Sequence, residues 1–149
     1  MTALSRAVLV AAALFATGCM SHHTVRFADT DPLGWDPADA AIVKIANSDT
    51  TGLQDIMLIV RFDAAATIDS IPLRIATRTP GGDMVDESFT VKINHEAAAP
   101  GYLEAAAVYR KDARLGEEGD YTFTFYVSRP GIKGVCAVCV DLKPASKVD

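Results

Sequence analysis

Hydrophobic and polar residues alternate with a period of two through most of this chain. Tyr121, Phe123, Phe125 and Val127 fall on one side of an extended run, and Thr122, Thr124, Tyr126 and Ser128 on the other. Successive side chains of a strand point to opposite faces, so the run predicts a strand with one buried face. Ile71, Leu73, Ile75 and Thr77 alternate in the same way with Pro72, Arg74, Ala76 and Arg78, and Phe89, Val91 and Ile93 with Ser88, Thr90, Lys92 and Asn94. Ala41 to Asn47, where Val43 and Ile45 alternate with Lys44, predicts another strand. Two runs, Leu53 to Phe62 and Val135 to Leu142, are largely apolar on both sides, the pattern of a strand in the middle of a sheet. Leu103 to Leu115 is alanine-rich enough for a short helix, yet Leu103, Ala105, Ala107 and Tyr109 also alternate, and a strand is expected.

The breaks carry turn chemistry: Asp49-Thr50-Thr51-Gly52, Thr79-Pro80-Gly81-Gly82-Asp83, Glu117-Glu118-Gly119-Asp120 and Arg129-Pro130-Gly131. Proline presets one turn position and glycine supplies positive φ. Strands at this spacing predict an all-β chain, an antiparallel β-sandwich of jelly-roll or immunoglobulin-like type with about seven or eight strands. One helical turn is expected at Asp36-Pro37-Ala38-Asp39-Ala40, because proline suits the first helical position.

The N-terminus follows a different rule. Arg6 precedes a small and apolar run from Ala7 to Ala16, which ends in Thr17, Gly18 and Cys19. A basic residue followed by a short apolar run is a secretory signal peptide, too short to remain as a membrane span. Ala16-Thr17-Gly18-Cys19 resembles a lipobox, which implies cleavage before Cys19 and acylation of its thiol. Residues 1–18 are thus expected to be the signal peptide, 19–34 a lipidated tether and 35–145 the β-sandwich. Acyl chains hold a protein at a membrane because each buried methylene contributes about 0.8 kcal/mol. No acidic residue follows Cys19 directly. That pattern is similar to lipoproteins of the outer membrane that face the periplasm.

Cleavage leaves about 130 residues, one domain with room for a core. The net charge of −5 and the pI near 5.1 come without a basic stripe, which argues against nucleic acid as a partner. Cys136 and Cys139 form a Cys-x-x-Cys pair, but residues three apart on a strand lie about 10 Å apart on opposite faces. A disulfide needs Cα atoms within about 7 Å, and zinc needs a second ligand pair that the sequence lacks. Structural core cysteines are expected, with a redox pair only if the strand breaks there.

No catalytic constellation emerges and no cofactor is expected. His22 and His23 fall in the tether, and His95 opens the loop after an amphipathic strand. Asp86-Glu87 and Glu117-Glu118 are adjacent acids, which diverge on an extended chain. Pro80-Gly81-Gly82 joins two strands, whereas a phosphate-cradling loop opens a helix. Trp35, the one tryptophan, is expected to cover an end of the sandwich or to contact a partner or ligand.

The order of landmarks resembles the gliding-motility lipoprotein GldH family of Bacteroidetes. The lipidated Cys19 is followed by Trp35-Asp36, a strand ending in an Asn-Ser-Asp-Thr turn, Leu58-Ile59-Val60-Arg61 and Thr79-Pro80-Gly81-Gly82 before Asp86. Gly119-Asp120-Tyr121 then opens an aromatic strand, and Gly134-Val135 leads through Val138 into the last one. The resemblance implies an envelope lipoprotein with a β-rich domain, with gliding motility or its linked secretion apparatus as its setting. After Asp86 the chain departs from the family by lacking a Gly- and Trp-rich stretch.

Two functions are therefore expected to compete. One is a non-catalytic component anchored to the membrane through lipid on Cys19, which docks other cell-envelope proteins. The alternative is a lipoprotein that grips a glycan or small ligand, with Trp35, Tyr102, Tyr109 or Tyr126 as stacking platforms. Mass spectrometry of fractionated membranes should find acyl mass on Cys19 and a soluble, unacylated Cys19→Ala product. A soluble, unacylated wild type would overturn the anchor.

Overall fold

The computed structural model describes residues 23–95 and 103–146; the expected signal peptide, Cys19, His22 and Tyr102 lie outside the described residues. Eight strands follow in order: β1 (Thr24–Asp29), β2 (Ala41–Asn47), β3 (Leu53–Phe62), β4 (Ser70–Arg78), β5 (Met84–Lys92), β6 (Leu103–Arg114), β7 (Gly119–Val127) and β8 (Val135–Pro144). They form two four-stranded sheets, β1-β8-β3-β6 and β2-β7-β4-β5, and every pairing is antiparallel. Only β4 and β5 are joined within one sheet; every other connection crosses to the opposite sheet. This is the jelly-roll arrangement of eight strands, and it settles the choice against the immunoglobulin order.

The runs expected as strands are strands, including Leu103 to Arg114. The two runs with apolar residues on both sides, β3 and β8, are the inner strands of the first sheet. Two expectations change. Thr24 to Asp29, placed in the 19–34 tether, is a strand paired along its length with β8. The sandwich thus begins at Thr24, not Trp35. Its outer side chains are exposed and its partner lies more than a hundred residues away, so local alternation is weak there.

The second change is at Asp36 to Ala40, which makes a turn, not a helical one. Asp36 Oδ1 accepts from the Ala38 amide at 2.9 Å and the Asp39 amide donates to the Asp36 carbonyl at 2.9 Å. An aspartate side chain that bonds its own backbone two residues on competes with the helix. The turn presents the Asp39 carbonyl to Trp35 Nε1 at 2.6 Å.

Inner faces of both sheets fill the space between them, as Ile45, Leu58, Val60, Phe62, Ile75, Phe123, Phe125 and Val140 show. Side chains of this kind contribute about 1.5–3 kcal/mol each on full burial. Trp35 is 1% exposed and closes one end, with its backbone bridged to Ile132. At the other end the buried Asn47 donates from Nδ2 to the carbonyls of Leu115 and Glu117, both at 3.0 Å, and accepts from Gln54 Nε2 at 3.2 Å. One amide thereby ties β2, β3 and the β6–β7 turn together.

Gly134 has φ +80°, and a Cβ there would stand 2.2 Å from the Ala66 amide nitrogen. Only glycine fits, because positive φ alone costs other residues about 1–3 kcal/mol. Thermal or urea unfolding should show Gly134→Ala destabilised by more than that range. Asn47→Ala, which strands buried carbonyls, should lose about 1–3 kcal/mol. A Gly134→Ala protein as stable as the wild type would show that the β3–β4 loop yields to the added methyl.

Candidate functional site

The two sheets differ in what they show to the outside. In an antiparallel sheet that covers a core, the outer side is ordinarily polar. The β2-β7-β4-β5 sheet obeys: Lys44, Thr122 and Arg78 lie in one cross-strand row, and Tyr126, Arg74 and Ser88 in another. Arg74 reaches Asp86 at 3.3 Å, and its guanidinium sits 4.3 Å from the Tyr126 ring centroid.

The outer side of β1-β8-β3-β6 does not obey. Register sets Phe27, Cys139, Ile59 and Ala106 side by side across the four strands, and Val25, Asp141, Met57 and Val108 in the next row. Phe27 is 62% exposed and Val108 53%. Between these two edge residues lie the half-buried Met57 and Ile59, so the rows form an apolar band across the sheet, and a large apolar surface of this kind marks an interaction site. A third row, Asp29, Ala137, Arg61 and Glu104, gives it a charged border, where Arg61 meets Glu104 at 2.9 Å. Within the patch, Asp141 Oδ1 is buried and lies 2.5 Å from His23 Nε2, without a hydrogen bond of good geometry.

Cys139 is buried, as expected of a structural cysteine, and register places it in this outer row. Cys136 stands beside the irregular register of Phe62 with Val135, its Sγ 3.9 Å from Asp63 Oδ2. Both are free, and burial pushes both thiols above the usual range, with Asp63 adding to the rise at Cys136. Protonated thiols of this kind are poor nucleophiles and poor metal ligands.

A second feature lies where the free edges of the sheets, β5 and β6, face each other. Adjacent acids diverge as expected: Asp86 points outward to Arg74, while Glu87 points inward and accepts from the Tyr109 hydroxyl and from Arg110 Nη2. The Arg110 guanidinium, then the Tyr109 hydroxyl, hold the Glu87 carboxyl below its ordinary value. Burial, then the bond to Glu87, push Tyr109 up to about 12. Phe89 packs edge-on against Tyr109, with centroids 5.4 Å apart. Beside this cluster a recess of about 280 Å³ opens between the sheets.

The residues singled out from sequence scatter. Trp35 is sealed in the core and offers no surface to a partner or ligand. Tyr109 is buried at the β5–β6 seam and Tyr126 lies on the outside of the other sheet. The expected stacking platforms therefore do not converge among the described residues. His95 Nε2 donates to the Ile68 carbonyl at 2.9 Å. Glu117, one of the other acid pair, accepts from the Gly81 amide at 2.6 Å and links two turns. Among the described residues no cluster of three metal-binding side chains occurs, and no helix is long and apolar enough to cross a membrane.

No family model matches the chain, and no curated protein does either. Among solved structures the chain is similar to an arabinose-bound α-L-arabinofuranosidase at 15% identity and a TM-score of 0.39, over 90% of this chain and 24% of that one. It is also similar to a carbohydrate-binding module of the β-sandwich superfamily at 11% identity and a TM-score of 0.31, over 91% of this chain and 60% of that one. The chain thus spans less than two thirds of either, and likeness at this level transfers neither a ligand nor an activity.

The Glu87 cluster makes stability depend on pH at both extremes. Because Glu87 is depressed in the folded state, its contribution is present above pH 4.5 and is lost as pH falls through the folded value. Tyr109 is raised, so its contribution is whole below pH 10 and lost as pH rises towards about 12. Denaturation across pH should show Glu87→Gln flattening the acid limb and Tyr109→Phe the alkaline one. Limbs unchanged in both variants would show that other groups govern them.

Proposed function

We propose that this protein is a non-catalytic envelope lipoprotein, anchored through Cys19 in the outer membrane and facing the periplasm, which docks another envelope protein on the outer face of β1-β8-β3-β6. The observation that carries the reading is the contrast between the two outer faces. One is mostly threonine, arginine and lysine, with Ile42 and Met84 exposed at its two edge strands; the other sets Val25, Phe27, Met57, Ile59 and Val108 in adjoining rows that run across all four strands. An aromatic amid aliphatic side chains with a charged border is the make-up of a protein contact with a dry centre and a polar rim.

Charge selects the occupant. In these rows stand Asp29, Asp141 and Glu104, with Arg61 paired to Glu104, and Lys143 lies one row beyond Asp141, so carboxylates outnumber cations on the face. Anionic lipid headgroups would meet these carboxylates unfavourably, whereas a protein surface with an apolar centre and a basic border complements them. The anchor favours the same arrangement. Four residues separate Cys19 from Thr24, where β1 begins, so the face lies within about 15–20 Å of the lipid. The landmarks shared with the GldH family make gliding motility or its associated secretion apparatus the first place to seek the partner.

Crosslinking in cells followed by pull-down tests this. One envelope protein should be recovered with the wild type and with Lys44→Glu on the opposite face, and at least about tenfold less with Phe27→Asp or Val108→Lys. Exposed substitutions of this kind change stability by about 0.5 kcal/mol or less, so melting temperatures should match. Recovery indifferent to the apolar face would overturn the proposal. So would a dimer of the wild type that Phe27→Asp converts to a monomer, since the occupant would then be a second copy.

A further inference from the structure

The recess between β5 and β6 is distinct from the docking face, for it opens at the edge of the sandwich. We infer that it binds a small aromatic carboxylate, a single ring carrying one anionic head, through Tyr121 and Phe123 on its floor, Thr77 within and Arg114 at its mouth.

Size and lining point to a single ring. About 280 Å³ exceeds the roughly 150 Å³ of an engineered apolar cavity that takes benzene. Three of the lining residues, Tyr109, Tyr121 and Phe123, are aromatic, and rings prefer edge-to-face or offset contacts with one another. The small Ala113 lines this part of the seam beside Ile56 and Leu115, where a bulkier side chain would fill the recess. Register shifts in the β3–β6 pairing beside it, and the positive φ of Asp112, mark an irregularity before pairing resumes at Gln54 with Ala113 and Leu53 with Arg114. Bulges of this kind re-aim side chains and gather at sheet edges and binding sites.

Polar groups distinguish the recess from a packing defect, which apolar atoms alone would line. Thr77 Oγ1 is buried and makes no hydrogen bond of good geometry, its one polar neighbour being the Tyr109 hydroxyl, which is already engaged by Glu87. A hydroxyl on the ring would give this poorly bonded oxygen a well-aligned partner, and a buried hydroxyl left without one is costly. Charge fixes the head group. The charged residues that line the recess are Glu87, Arg110 and Arg114. Glu87 is matched by Arg110, which leaves Arg114 without an ion-pair partner among the described residues. A guanidinium binds a carboxylate in a two-pronged fit.

Ligand-observed saturation-transfer NMR on the full chain in lipid nanodiscs, with 4-hydroxyphenylacetate, phenylacetate and uncharged 2-phenylethanol as probes, tests the assignment. The hydroxylated acid should bind most tightly, and Arg114→Gln should weaken both acids about tenfold while leaving the alcohol unchanged. Thr77→Val should erase the advantage of the ring hydroxyl, and Ala113→Phe should abolish binding of all three. Arg114 is exposed, so Arg114→Gln keeps the test valid even if Ala113→Phe impairs folding. Absence of saturable binding in the millimolar range, or acid binding indifferent to Arg114→Gln, would overturn the inference.

Discussion

The packing of two sheets against each other is the interaction on which everything else here depends. Leu58, Val60, Val138 and Val140 from one sheet meet Ile45, Ile75, Phe123 and Phe125 from the other, and all are buried. Because side chains on a strand alternate, burying these residues fixes where every neighbour points. A slip of one residue in β3 or β8 would exchange the core for the outer face. Asn47 and Trp35 close the two ends of this arrangement, the first through three hydrogen bonds and the second through a backbone bridge and an indole bond. Neither residue is free to serve a partner.

Both proposed sites follow from that packing. The outer face of β1-β8-β3-β6 is apolar because its two inner strands carry apolar residues on both sides, and the fold sets them next to each other. A jelly roll does not require this, since the β2-β7-β4-β5 sheet covers the same core with an outside that is polar along its inner strands β7 and β4, where Thr122, Thr124, Arg74 and Arg78 stand. The β5–β6 recess arises at the opposite kind of place, where two edge strands face each other without backbone pairing. There the inward Glu87 is tolerated because Tyr109 and Arg110 satisfy it. The same ion pair leaves Arg114 as the unmatched charge at the mouth.

The proposed lipid on Cys19 fixes the start of β1, and β1 is an edge strand of the apolar face. A partner that covers Phe27 and Val25 would meet the domain close to its anchor, where effective concentration is high. The recess lies across the sheet from β1, beside β6. Occupancy of the recess and docking on the face need not compete for the same residues.

Period-two alternation was legible without coordinates, and with it seven of the eight strands, the sandwich class and the divergence of Asp86 from Glu87. These are local facts, set by the geometry of one strand and the residues that bound it. Even the unusual character of β3 and β8 could be read, as apolar residues on both sides. What no single run of sequence contains is which strands become neighbours. β1 has no strong local signal because its partner is the last strand of the chain, and the role of Trp35 is decided by its burial. The adjacency of β3 and β8, which turns two apolar strands into a face, and the apposition of β5 and β6, which makes a recess, are long-range pairings. Their energies come from contacts between residues distant in sequence, and so only the tertiary structure decided them.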